Sequence, residues 1–209
     1  MGTSAPLLGE PLPVELMNTI WADRDGVHDA LGETAGAEAW LRAVAPRIGL
    51  PAAPDPAAPG ALAAADLDRL TRRLLVLRDA LRRLAAEATG DPRPAAASAT
   101  RELDAAVATV NQAAGAVPRW SALAWTPGEA PSRLARTSGR AADAAVSAIA
   151  EEAIGLFSRD DRLQLRACLA PGCVLYFLKD HPRREWCSPA CGNRARAARH
   201  YQRHRGSTA

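Results

Sequence analysis

The chain has 209 residues, of which 48 are alanine, while aromatics supply only 4% and the formal charge is a mild +3. An alanine-, leucine- and arginine-rich chain poor in β-branched residues is a helix former. That composition excludes a β-sandwich, and with it an RNA-binding sheet or OB-type barrel paved with stacking aromatics.

Taken in chain order, residues 13–21 (PVELMNTIW) read as a short helix with Leu16 and Ile20 on one face. Residues 35–48 repeat apolar side chains at Trp40, Leu41, Val44 and Ile48, at helical spacing, with Pro46 expected to end or kink the helix near Val44. Residues 50–60 hold four prolines and read as a surface loop. Leu67, Leu70, Leu74, Leu77, Leu81 and Leu84 then recur in steps of three and four, which predicts a long amphipathic helix ending near Gly90. Asp68/Arg72 and Asp79/Arg83 stand at i,i+4 on its outer faces. Its leucine face suits packing inside one helical domain better than a coiled-coil homodimer.

A further helix is expected over residues 95–114, capped near Ser98 with Glu102 in its first turns. Residues 117–126 alternate instead, and TPGEAP closes them with a turn, so a short β-hairpin with a partner near Leu134 is predicted. Residues 139–157 return to helix with Ala142, Val146, Ile149 and Ala153 inward, and 160–167 read as a short helical continuation. The fold class is therefore mainly α: a helical N-terminal domain (1–160) carrying one hairpin, then a small C-terminal unit (161–209).

Charge marks that division. From Gly155 to Ala209 there are 11 Lys/Arg against 4 Asp/Glu, a formal +7, whereas the rest of the chain is −4. All four cysteines lie in the basic part, as Cys168-x4-Cys173 and Cys187-x3-Cys191. No apolar stretch reaches the roughly 18 residues that span a bilayer. The first residues lack the basic-then-apolar pattern of a signal peptide, so a cytoplasmic, reducing location is the expectation. There, two close cysteine pairs joined by a short loop suit a four-thiolate zinc site. Spacing alone also admits an iron–sulfur cluster.

The metal ligands are thus Cys168, Cys173, Cys187 and Cys191, with turn-formers Pro171-Gly172 and Ser188-Pro189 between them. Four thiolates on zinc carry a formal −2, and Arg183, Arg184 and Arg194 are candidates to offset it. Beyond Cys191 a basic helix is predicted to about Arg203, with Ala195, Ala198 and Gln202 toward the metal lobe and Arg196, Arg199 and Arg203 in a stripe. Arg183, Arg184, Arg194, Arg196, Arg199, Arg203 and Arg205 are the candidate contacts to double-stranded DNA. His181, His200 and His204 are read as surface groups, and Tyr176, Phe177 and Trp186 as core of the lobe. A second candidate site, for a small-molecule effector, groups Asn18, Thr19, Arg24 and Asn111 as polar residues beside apolar helical faces.

The segment RREWCSPACGNRARAARHYQRHR resembles the zinc finger named for its Cys-Gly-Asn-Arg motif, here Cys191, Gly192, Asn193 and Arg194. Fingers of that family follow a helical domain called ABATE, associated with stress-induced transcription regulation. Glu15, Leu16, Asn18 and Thr19, and then Trp40-Leu41, match that domain's early signatures. The loop KDHPRREW departs from the family pattern: it is about two residues shorter and has no serine and asparagine after Asp180. The resemblance implies a zinc-dependent DNA-binding regulator responding to stress. The alternative is a zinc-stabilised protein–protein interaction module without direct DNA binding. An enzyme is not expected, since four cysteine ligands leave no open coordination position and no phosphate loop or H-E-x-x-H motif is present.

Overall fold

A computed structural model describes residues 5–48, 64–94 and 97–205, without the side chains of Ala64, Ala65, His204 and Arg205. The proline-rich loop at 50–60 lies outside the described residues. Those described form six α-helices and three two-stranded antiparallel hairpins.

The longest helix, α3 (Ala64–Thr89), is the centre of the packing. Its leucine stripe does what its periodicity predicts: Leu67, Leu70, Leu74, Leu77 and Leu81 are buried and Leu84 half-buried. Against it lie α1 (Leu12–Met17), α2 (Thr34–Ile48), α4 (Leu103–Ala114) and α5 (Ala141–Ser158). The leucine face is therefore consumed within the chain and is not available for a coiled coil. From α5 come Val146, Ile149, Ala150 and Ala153, all buried, whose small size lets it sit close to α1 and α3. Each fully buried leucine contributes about 2 kcal/mol relative to exposure.

Four local expectations are corrected. The first helix stops at Met17; Ile20–Asp23 is strand β1, paired with β2 (Gly26–Asp29) in a hairpin whose two-residue loop is Arg24-Asp25. Gly26 adopts φ +133, a conformation open to glycine, and Trp21 stacks on His28 at 4.3 Å. Helix α2 does not stop near Val44 but runs through Pro46 to Ile48. Pro46 sits in the last turn, where its missing N–H costs a single bond and few helical residues follow. Helix α4 begins only at Leu103: Ser98 donates to the Asp79 carbonyl at 2.5 Å, bracing the preceding loop on α3 instead of capping a helix. Finally, 160–167 form a 3₁₀ turn (Asp160–Leu163) followed by strand β5 (Leu165–Ala167). On the outer face of α3 the Asp68–Arg72 pair forms, but Arg83 turns to Glu87 at 3.0 Å instead of to Asp79.

The predicted hairpin is present as β3 (Arg119–Ala124) and β4 (Ser132–Thr137), with Ala122 opposite Leu134. A third hairpin joins β5 to β6 (Tyr176–Leu178), and α6 (Pro189–Arg205) closes the described chain. Leu165 and Tyr176 of the third hairpin belong to the core of the helical body, while Phe177 faces the cysteines. Tyr176 is thus core of the body, not of the metal lobe as expected, because alternate residues of a strand point to opposite faces.

Candidate metal centre

The cysteine loops extend the β5–β6 hairpin. The Cys168 amide donates to the Leu175 carbonyl at 2.9 Å, continuing the ladder, and the Cys173 amide donates to Ala170 at 2.9 Å, closing a tight turn. Gly172 in that turn takes φ +73, which a side chain would disfavour by about 1–2 kcal/mol. The second pair brackets a helix start. Cys187 precedes α6 and Cys191 lies in its first turn, where the Ser188 hydroxyl accepts from the Cys191 amide at 3.3 Å. A helix N-terminus favours the thiolate form.

All four cysteines are buried and their sulfur atoms lie within 4.8 Å of one another. Cys187 and Cys191 are 3.4 Å apart and Cys173 and Cys187 are 3.8 Å apart. A tetrahedron of zinc–sulfur bonds of about 2.3 Å has sulfur–sulfur edges of about 3.8 Å, so the set is sized for such an ion. The four thiols also perturb one another through hydrogen bonds. Hydrogen bonds from Cys173 and Cys187 draw the Cys168 thiol down to about 7, and those from Cys168, Cys173 and Cys187 draw Cys191 down further. Cys173 and Cys187 are pushed up, in each case first by Cys168. Four thiolates at this spacing need a cation among them.

The surroundings supply partial compensation. Arg194 reaches the Cys191 sulfur at 3.1 Å. Arg184 donates to the carbonyls of Leu178 (3.0 Å) and Cys187 (3.4 Å), pairs with Glu10 at 2.5 Å and lies over the Phe177 ring. Burial raises the Glu10 carboxyl, against the opposing effects of the Leu178 amide and Arg184. Arg183 takes no such part: it is exposed, with its amide donating to the His181 ring.

One group that the sequence reading missed matters more than these. Arg93, in the loop after α3, donates through one nitrogen to the carbonyls of Cys168 (2.9 Å), Cys173 (3.1 Å) and Leu175 (3.2 Å). It is held by a two-point pair with Asp91, at 2.7 and 2.6 Å. Asp91 also accepts the Tyr176 hydroxyl at 2.6 Å. Desolvation alone would raise the Asp91 carboxyl, but these hydrogen bonds outweigh it and hold it below the usual range. Arg82, fully buried on α3, donates to Met17 (2.9 Å) and Val174 (3.4 Å), and both Arg82 and Arg93 lie over the Tyr176 ring. The available signal was an arginine pair, Arg78 and Arg82, on the leucine side of α3, where an unpaired cation is untenable.

The proposed effector residues do not converge. Asn18 is buried and used up: its amide donates to the Tyr176 carbonyl and its oxygen accepts from the Tyr176 amide, both at 2.9 Å. Thr19 donates to Leu16 and accepts from Arg78, which also forks onto Asp29. Arg24 and Asn111 are exposed, on the β1–β2 turn and on α4.

On α6, Ala195 is buried and Ala198 half-buried toward the lobe, whereas Gln202, expected there, is exposed. Arg196, Arg199 and Arg203 are exposed, with Arg196 donating to Asn193 and Arg199 to the Ala195 carbonyl. The side chains of Arg205 and His204 fall outside the described residues, and His181 and His200 are exposed. Gly192 is buried against the half-buried Trp186 ring, which covers the lobe and which a Cβ on Gly192 would meet at 3.1 Å.

No curated protein matches the chain. Residues 164–204 match the CGNR zinc finger. Residues 10–160 match ABATE, described as "Putative stress-induced transcription regulator". With that match over most of its length, and with four buried cysteines gathered at metal-binding distance behind it, the chain belongs to the ABATE family and ends in a CGNR zinc finger.

Proposed function

We propose that this protein is a cytoplasmic, zinc-dependent regulator that binds double-stranded DNA through α6 and acts in a stress response. The observation that carries this reading is a division of labour among arginines. Arg184 and Arg194 donate to the Cys187 carbonyl and the Cys191 sulfur, while Arg196, Arg199 and Arg203, exposed as Arg194 also is, hydrogen-bond along their own helix, whose base is anchored by Cys187 and Cys191. A rigidly mounted helix with exposed guanidinium groups suits phosphate contact and guanine recognition in a major groove. The family description supports regulation. In this reading zinc is structural and the protein is not an enzyme, because four thiolates complete the tetrahedron.

The test is duplex DNA binding by the zinc-loaded chain, using genomic fragments first and the enriched sequence thereafter. Replacing Arg196 and Arg199 by alanine should weaken binding at every sequence and lower the slope of log affinity against log salt by about 2. Metal content and helicity should stay unchanged. Native-like binding by that double variant removes α6 from the contact. Absence of salt-sensitive binding by the native chain transfers the finger's role to a protein partner.

A further inference from the structure

Helices α3, α4 and α5 leave between them a cleft of about 680 Å³. That lies inside the roughly 300–1,000 Å³ usual for small-molecule sites. Its floor is apolar: Leu77, Ala113 and Val146 line it and are buried. Val76 lines it too and is 59% exposed, an apolar side chain left uncovered beside an apolar floor. The α4 wall is held in place from α5, where the Ser147 hydroxyl donates to the Ala114 carbonyl at 2.5 Å.

The rim is basic. Arg69, Arg72 and Arg73 line the cleft from α3, and among the described residues no acidic side chain does. Two carboxylates outside the lining serve these three guanidinium groups. Asp143 of α5 pairs with Arg73 and, at 3.2 Å, with Arg69. Asp68 pairs with Arg72 one turn along α3, where both side chains are largely exposed. A pair so open to water holds its members weakly. One positive charge is therefore in surplus at the rim, and Arg72 is the guanidinium most easily drawn to an added anion.

From these observations we propose that the cleft binds an amphipathic organic acid, its carboxylate on Arg69 and Arg72 and its aliphatic or aromatic body over Val76, Leu77 and Val146. A guanidinium matches a carboxylate in two-point hydrogen bonding, and an apolar floor favours burial of the body. The same lining sorts other ligands. The rim repels a cation with the same body, and a neutral molecule leaves the rim unused. Duplex DNA has no apolar tail to set on the floor, which separates this site from α6. The cleft shares no residue with Asn18, Thr19, Arg24 and Asn111, the group expected from the sequence to hold an effector. The proposal does not rest on DNA binding.

Titration calorimetry of the zinc-loaded full chain with decanoate and with 4-phenylbutyrate tests it, decyltrimethylammonium serving as the charge-reversed control. Saturable one-to-one binding of either acid is the expected result, at least about tenfold tighter than any binding of the cation. Arg69→Gln combined with Arg72→Gln should weaken that binding by at least about tenfold. Arg73 remains to hold Asp143 in that variant, so helicity and metal content should be unchanged. Val76→Asp, at an exposed position, should weaken it similarly, whereas Arg133→Gln with Arg136→Gln on the β3–β4 hairpin should not. NMR on the native chain gives a second readout that needs no variant: amide shifts on adding the acid should gather in 69–77 and 109–116. The proposal is overturned if neither acid binds saturably or if the cation binds as well. Native-like affinity in the Arg69/Arg72 variant also overturns it, as do shifts that gather on β3 or α6 instead.

Discussion

Arg93 shows how one side chain can hold a metal loop that contains none of its own ligands. Three carbonyls, those of Cys168, Cys173 and Leu175, converge on one guanidinium nitrogen, and the opposite side of the group is fixed by Asp91. Arg93→Ala would orphan those carbonyls and leave Asp91, 2% exposed, without its cation, at a cost of about 3 kcal/mol. Urea unfolding of the zinc-loaded variant measures that loss, and a chelator should strip its metal faster than from the native chain; equal rates would refute the clasp. Arg93→Lys should recover little, since a point-like ammonium cannot serve Asp91 in two-point fashion and the carbonyls together. Tyr176 gives a pH signature. Burial, then its bond to Asp91, pushes its hydroxyl up to about 12 from an ordinary 10. The folded state therefore keeps that proton longer than the unfolded one. The linked stability, about 2.5 kcal/mol, is complete below pH 10 and disappears as the pH climbs toward 12. Tyr176→Phe should lose stability at neutral pH yet lack this alkaline decline when unfolding midpoints are compared across that interval.

At the level of elements, what could be read in advance followed from periodicity and what could not followed from partners distant in sequence. The leucine spacing of α3, the alternation of β3 and the inward face of α5 announce themselves because each repeats over several residues. The β1–β2 hairpin was hidden within a helical pattern: Leu16 and Ile20 sit four apart, and the Arg24-Asp25 loop, closed by Gly26, that overrules them lies outside that window. The gathering of the four cysteines was legible because cysteine pairs are rare and chemically committed. Arg93, Asp91 and Glu10 were not, because their roles depend on folding across intervals of about 75 residues or more, which no local pattern records. The same geometry predicts how metal loss spreads. With zinc removed, repulsion among the sulfurs should open 165–195, whereas α3 and α5, built on leucine and alanine packing, keep their structure. Hydrogen exchange on metal-free and metal-loaded protein checks this, and equal protection of the β5–β6 amides in both would refute it.

Across the whole molecule, the helical body and the finger share interior. Asn18 of the body extends the backbone pairing of Tyr176, Arg82 reaches Val174, and Trp21 packs against both apolar clusters. An excised segment of residues 161–209 should therefore bind zinc weakly and give a poorly dispersed NMR spectrum, while the full chain with zinc gives a well-dispersed one. A folded, tightly loaded fragment would contradict that. The seam also bears on inheritance. Asn18, Arg82 and Arg93 donate to backbone groups that any finger of this shape presents, but the Tyr176 ring lies under Arg82 and Arg93 and its hydroxyl meets Asp91, so a functional chimera requires a tyrosine at that position of the borrowed finger. Recombination at the visible boundary in sequence cuts through a single interior, and descent should have kept the two parts together as one co-adapted unit.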